Sequence, residues 1–177
     1  MPAFYGNMSR LRFKSESGVT LVESLIAASL LALFLAAVFS VNGRNLQLLK
    51  SGKESLSATT VLEERLEQLR TGRWDEVTRP AYLSTILSTA SGSGANLSSL
   101  SEQIVISAYP VPNPAVATTK VTRSSSGSVT TVSSNASLPM EKSVRADIRV
   151  TWIGPPNGRT RVREVSTIIA NGGLISK

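Results

Sequence analysis

Apolar residues dominate one early stretch of the chain, residues 19–41. From Ser24 to Val41 there is no charged residue, no proline and no glycine. A helix over that run is roughly 27 Å long, close to the thickness of the hydrocarbon core of a bilayer. The pattern therefore predicts a membrane-spanning helix, with one acid, Glu23, near its start.

Leucines continue after this stretch at mostly three- and four-residue intervals, with glutamates between them. They are Leu46, Leu49, Leu56, Leu62, Leu66 and Leu69. No proline interrupts residues 3–79, so one helix can run from about residue 20 to about residue 70. We expect residues 42–72 to form its amphipathic half, with the leucines packed on a sheet and with bends at Gly43 and Gly52. A free coiled coil is the alternative, which Gly52 disfavours.

The chain becomes more polar beyond this helix. We assign residues 73–102 to a loop region, and the Ser-, Gly-, Ala- and Asn-rich part from Ser88 to Ser101 should be a mobile loop because it buries little apolar surface. Residues 103–177 should form an antiparallel β domain.

Three features predict strands in the β domain. Residues 103–109 read as one strand, and residues 120–134 as a weak hairpin around Gly127. Strict alternation over residues 143–152, a Gly/Pro-rich turn and a returning strand over residues 160–169 predict the clearest hairpin, with a bulge near Glu164. The predicted fold class is α+β, a long N-terminal helix on a small antiparallel sheet.

The amino-acid composition excludes several kinds of catalytic and metal-binding site. The chain has no cysteine and no histidine, which excludes disulfides, thiolate metal sites and histidine-based catalysis. We expect no enzyme activity, no catalytic residue, no metal and no cofactor, although catalysis by carboxylates alone remains formally open. The net charge is +7, and Arg10, Arg12 and Lys14 precede the apolar run. The positive-inside rule then places the N-terminus in the cytoplasm, whereas Arg44, Lys50 and Lys53 would favour the opposite insertion.

Several interpretations of residues 19–41 are possible. The rest of the chain is too polar to enclose a helix that is apolar on all sides, and a secretory signal usually has a shorter apolar run. A simple membrane anchor fits the length but leaves Glu23 unexplained, since a carboxylate at membrane depth needs a partner.

The residues Gly18-Val-Thr-Leu-Val-Glu23 closely resemble the cleavage and methylation site of type IV prepilins and type II secretion pseudopilins. The resemblance implies that a prepilin peptidase cuts between Gly18 and Val19, removes the basic leader 1–18 and N-methylates Val19. Glu23 would then be the fifth mature residue and would dock to the N-terminal amine of a neighbouring subunit. Val19 departs from the pattern, because the family more often has an aromatic residue or methionine there.

The resemblance also implies a function and a location. The chain would be a minor pilin or pseudopilin, a structural subunit of a type IV pilus or type II secretion filament, and residues 73–102 would be the variable segment. It would lie in the bacterial inner membrane as a single-pass protein with a periplasmic C-terminal domain, and then in the pilus or pseudopilus. Its partners would be the prepilin peptidase, other pilin subunits, inner-membrane assembly proteins and the lipid bilayer. The alternative is a permanently anchored single-pass protein whose extracytoplasmic domain binds a ligand or nucleic acid.

Arg159, Arg161 and Arg163 form a candidate nucleic-acid contact. Alternate residues of a strand share a face, so the three would form a basic stripe able to contact phosphates. The absence of interleaved aromatic residues, and the nearby acids Glu164 and Asp147 as expected ion-pair partners, favour a structural role instead.

Overall fold

A computed structural model describes residues 20–110, 117–155 and 158–172 of the protein. The chain divides into two compact units, Met1–Arg44 and Asn45–Lys177. The described part of the first unit is helical, and the second unit contains the rest of that helix together with the sheet. The predicted leader, residues 1–18, lies outside the described residues.

Three α-helices precede the sheet. Helix α1 begins at Leu21 and ends at Thr71, close to the predicted limits, and Gly72 follows it. Two short helices come next, α2 (Trp74–Val77) and α3 (Pro80–Ser88), and Pro80 occupies the first turn of α3, where a missing N–H is tolerated. A 3₁₀ turn over Ser93–Asn96 leads into the sheet.

The sheet has five antiparallel strands in the order β3-β2-β1-β4-β5. They are β1 (Ser98–Ala108), β2 (Thr119–Arg123), β3 (Val129–Ser133), β4 (Ser143–Gly154) and β5 (Arg159–Ala170). Both predicted hairpins are present, as β2–β3 and β4–β5. The α+β prediction, a long N-terminal helix packed on an antiparallel sheet, is confirmed.

A single core joins the second half of α1 to one face of the sheet. Helix α1 contributes Ala58, Val61, Leu62 and Leu69, and α3 contributes its own buried residues as it packs over β2 and β3. The sheet side comes from alternate residues of β1, β2 and β4, ending at Trp152. Burial alternates along β4 without interruption, as the sequence pattern predicts for a strand with one buried face.

The leucine prediction for α1 is only half right. Leu62 and Leu69 are buried and Leu66 packs against the core, but Leu46, Leu49 and Leu56 are each about 70% exposed. The reason is helical phase. Each residue advances the helix by about 100°, so the six steps from Leu56 to Leu62 amount to about 600°, or about 240° beyond one full turn. The two sets of leucines therefore lie on different faces.

The expected mobile loop over residues 88–101 is instead folded. It contains the 3₁₀ turn and the first residues of β1, which begins at Ser98 inside the predicted loop region. Charged side chains of α1 supply the hydrogen bonds that the polar sequence needs. Arg65 Nη2 donates to the Thr89 carbonyl at 2.7 Å, and the hydroxyls of Ser91 and Ser93 donate to the Glu64 carboxylate.

The bulge predicted near Glu164 is absent from the described strands, and the β4–β5 register is continuous from Ser143↔Ala170 to Gly154↔Arg159. The apparent slip has a different cause, because arginines occupy core-side positions of β5 at Arg161 and Arg163. The register shift in β1–β4 lies between Ser98 and Ser101.

Candidate functional site

The predicted processing site precedes the described residues. Gly18 and Val19 lie outside them, so cleavage and methylation stay predictions. Thr20 is the first described residue, and α1 begins directly after it.

Glu23 lies in the first turn of α1 and is exposed. Its backbone N–H donates to Thr20 Oγ1 at 3.2 Å, which makes Thr20 the capping side chain. The spacing Thr20-x-x-Glu23 is that of a capping box, in which an acid at the fourth position favours the helix start and the positive end of the helix dipole. Sequence reasoning about Glu23 missed this local role, although the four residues contain the signal for it.

The apolar surface after Glu23 is uncovered. Every residue from Leu21 to Arg44 is exposed, including Phe34 and Phe39. Among the described residues there is one helix that is long and apolar enough to cross a membrane, and it is α1. An apolar surface of this extent requires lipid or protein to cover it.

The arginines of β5 face α1. Arg161 pairs in register with Trp152 and Arg163 with Val150, so both lie on the core side of the sheet. Arg161 donates to the Ser51 hydroxyl and the Pro155 carbonyl, and Arg163 donates to the Ser55 hydroxyl. Arg159, at the start of the strand, is exposed.

The predicted ion-pair partners are wrong for these arginines. Glu164 accepts from Arg149 at 2.8 Å, and Asp147 accepts from Arg145 at 2.8 Å. Strand alternation explains this, since Glu164 and Asp147 point to the outer face, opposite Arg161 and Arg163. Two of the three guanidinium groups therefore bind helix α1, an arrangement that favours the structural role over phosphate contact.

Glu54 is buried beside the same arginines. The residue is 5% exposed, and its Oε2 has no hydrogen-bond partner among the described residues. Glu54 Oε2 and Arg161 Nε both lie 2.8 Å from where a Cβ on Gly154 would be. Glycine at position 154 leaves space for these two oppositely charged side chains beside each other.

A buried charge cluster is the strongest polar feature that sequence reasoning missed. Arg65 is 1% exposed and binds the fully buried Glu102 through Nε at 2.6 Å and Nη2 at 3.1 Å. Its other N–H groups reach Gln68 Oε1 and the carbonyls of Ile86 and Thr89. All five guanidinium N–H groups thus have acceptors. The available signal was an arginine four residues from both Val61 and Leu69, on the apolar face of α1.

No metal-type cluster of three or more Asp or Glu side chains occurs in the described ranges. Comparison with known proteins gives no further assignment, because no family model, curated protein or solved structure matches the chain significantly. The function must therefore be argued from the residues and their geometry.

Proposed function

We propose that the chain is a prepilin-like structural subunit, processed after Gly18 and assembled through α1 into a type IV pilus or type II secretion filament. One coincidence carries the proposal. The Gly18–Glu23 sequence immediately precedes a helix that starts at Leu21, presents an uncovered apolar surface, and continues into a segment packed on an antiparallel sheet.

The exposed surface of α1 supports a role in assembly. In the membrane, lipid covers the apolar residues from Leu21 onward, and in a filament the same residues pack against helices of other subunits. Cleavage before Val19 would create a new amine four residues before Glu23. Docking of that amine to the Glu23 carboxylate of a neighbouring subunit neutralises two charges that an apolar environment would otherwise leave unpaired.

The proposal includes partners and a location. The prepilin peptidase, other pilin or pseudopilin subunits and inner-membrane assembly proteins would act on the chain in the bacterial inner membrane. Its N-terminus would face the cytoplasm and its sheet domain the periplasm, before the subunit enters a pilus or pseudopilus.

A permanently anchored binding protein is the second candidate. The open cavities beside Arg123 favour it, because a cavity next to a charged side chain can bind a ligand. The two candidates differ in the fate of residues 1–18.

The mature N-terminus tests the proposal. The full chain is co-expressed with a prepilin peptidase, extracted in detergent and analysed by intact-mass and N-terminal peptide mass spectrometry. We expect a chain that begins at N-methylated Val19, and a Gly18→Val variant that keeps residues 1–18 because the glycine of the cleavage motif is lost. Intact residues 1–18 in the unmodified chain, or a mature start beyond Val41, would overturn the proposal.

A further inference from the structure

Arg123 carries hydrogen-bonding capacity that the described residues leave unused. Its Nη1 donates to Glu102 Oε1 at 3.1 Å, its one side-chain hydrogen bond within the described ranges. Its Nε is buried without an acceptor there. Its Nη2 lies close to the β2–β3 turn, 3.7 Å from where a Cβ on Gly127 would be.

The charge of Arg123 is also poorly compensated. Arg65 already engages both carboxylate oxygens of Glu102, so Arg123 adds a second cation to a buried anion whose charge is balanced. A partly buried cation without its own counter-ion is destabilising. Glu64 accepts hydrogen bonds from the hydroxyls of Ser91 and Ser93, and in the described part of the chain Glu102 is the one acid that forms an ion pair with Arg123.

A small polar cavity adjoins Arg123. Its volume is about 270 Å³, and its lining combines Arg123 and four serines, Ser91, Ser99, Ser124 and Ser125, with apolar residues that include Leu97 and Leu100. The hydroxyls of Ser99 and Ser125 make no side-chain hydrogen bond among the described residues, whereas Ser91 donates to Glu64 and Ser124 to the Ser128 carbonyl. The cavity therefore combines one cation with two available hydroxyls.

Ser99, which lines the cavity, has an unusual backbone conformation. Its φ is +53°, in the left-handed region that serine rarely adopts, and it lies where the β1–β4 register shifts between Ser98 and Ser101. Such strained positions are concentrated at ligand-binding sites. The strain is an observation independent of the Arg123 charge.

We infer that this cavity binds the carboxylate of a small hydroxyl-bearing molecule of the size of one sugar ring, such as a uronic acid. The Arg123 guanidinium supplies the counter-charge and charge-assisted hydrogen bonds. Ser99 and Ser125 bind hydroxyls of the ligand. The volume is slightly below the range of roughly 300–1,000 Å³ for drug-sized sites, which suits a single ring. The inference does not depend on assembly into a filament.

Isothermal titration calorimetry of the full chain in detergent micelles tests the inference, with D-glucuronate as the ligand and D-glucose as its uncharged control. We expect glucuronate to bind with a Kd in the millimolar range and glucose not to bind. Arg123→Gln should weaken glucuronate binding by at least about tenfold, because the counter-charge is lost.

Three variants distinguish binding in this cavity from loss of the fold and from binding in a neighbouring cavity. Ser125→Leu should fill the cavity and abolish binding, whereas Ser126→Leu, on the same turn but outside the lining, should not. Thr130→Leu tests the second cavity beside Arg123, of about 220 Å³, and should also leave binding intact. Circular dichroism and melting temperature establish that each variant is folded.

Three results would overturn the inference. The first is no glucuronate binding, and the second is binding that Arg123→Gln or Ser125→Leu leaves unchanged. The third is Arg123-dependent binding of inorganic phosphate as tight as that of glucuronate, which would indicate a general oxyanion site rather than one for a carboxylate sugar.

Discussion

Arg65 occupies a position on α1 where helical spacing would place an apolar side chain. It lies between Val61 and Leu69 on the buried face, at 1% exposure, and is held by Glu102 and by two backbone carbonyls. A buried pair of this kind is a weak source of net stability, but removal of one partner leaves an expensive unpaired group. Its hydrogen bond to the Thr89 carbonyl also attaches the polar segment after α3 to helix α1.

Arg65→Met should therefore strongly destabilise the unit that contains the sheet, Asn45–Lys177. We expect a loss of about 3–5 kcal/mol in the free energy of unfolding, since Glu102 Oε2 and the carbonyls of Ile86 and Thr89 lose their donors, and among the described residues the Glu102 carboxylate keeps only the Arg123 hydrogen bond to Oε1. Urea unfolding of the full chain in detergent, followed by the fluorescence of Trp74 and Trp152, measures the change.

Arg70→Met is the matched control for this prediction. Arg70 pairs with Glu67 on the exposed side of the same helix, where both side chains are more than half exposed. Its loss should change stability by less than about 1 kcal/mol. Equal effects of the two substitutions would show that the buried pair has no special role.

Gly72 is a second residue whose role depends on its neighbours. A Cβ at this position would lie 2.6 Å from the Tyr82 hydroxyl, which donates to the Gln68 carbonyl. Burial raises the pKa of Tyr82 above its ordinary value of 10.0, and the nearby Glu76 carboxylate raises it further, against the opposing effect of a hydrogen bond to Thr71.

Gly72→Ala should displace the Tyr82 ring and lower the free energy of unfolding by about 1–3 kcal/mol. The absorbance titration of tyrosine should also move toward the ordinary pKa. Gly52→Ala is the opposite case, because nothing lies within 4 Å of its Cβ position. That change should stabilise by about 0.5–1 kcal/mol through helix propensity, and a loss of stability would indicate that the helix needs glycine there.

At the scale of elements, α1 presents two apolar faces. One face, with Leu62 and Leu69, is part of the core of the sheet unit. The other, with Leu49 and Leu56, is exposed and is not buried by any of the described residues. Only the first face can contribute to the stability of the isolated chain.

Leu62→Ala should cost about 2–5 kcal/mol in the free energy of unfolding, because it leaves a cavity in the core. Leu49→Ala should stay within about 0.5 kcal/mol. Both values come from thermal or urea unfolding of the full chain in detergent. A large effect of Leu49→Ala would mean that this leucine is covered in the isolated protein.

The core-facing side of strand β5 changes character along its length. Its core-side positions carry arginines toward its start and apolar residues, Val165 and Ile169, toward its end. Arg161 and Arg163 meet hydroxyls of α1 near the helix turn that carries Glu54. The strand therefore joins the helix through polar contacts at one end and through the core at the other.

At the scale of the whole molecule, two substitutions of Glu23 can distinguish a role in filament assembly from a role in capping helix α1. Glu23→Gln preserves the capping-box pattern but removes the charge, whereas Glu23→Ala removes both. If Glu23 docks a neighbouring amine, both variants should be processed normally and both should be reduced at least about tenfold in sheared filament fractions, as measured by quantitative immunoblotting. Normal incorporation of Glu23→Gln beside defective Glu23→Ala would assign Glu23 to capping alone and contradict the docking role.

Much of the fold could be predicted because local periodicity encodes it. The limits of α1, both hairpins and the buried alternation of β4 follow from the spacing of apolar residues and from turn residues such as Gly127. The candidate site was less predictable. The carboxylates expected beside Arg161 and Arg163 belong to the opposite face, and the polar segment after α3 is folded by contacts from Glu64 and Arg65 that are distant in sequence.

The sequence by itself determined helix α1, the two hairpins of the sheet and the six-residue pattern from Gly18 to Glu23 on which the proposed function rests. Only the tertiary structure decided which leucines of α1 are buried, why Arg65 lies in the core, and that Arg123 adjoins an open polar cavity. The physical reason is the separation in sequence between the residues that interact. Helix and strand periods are set by neighbours along the chain, whereas burial and charge pairing depend on which faces the packed elements bring together.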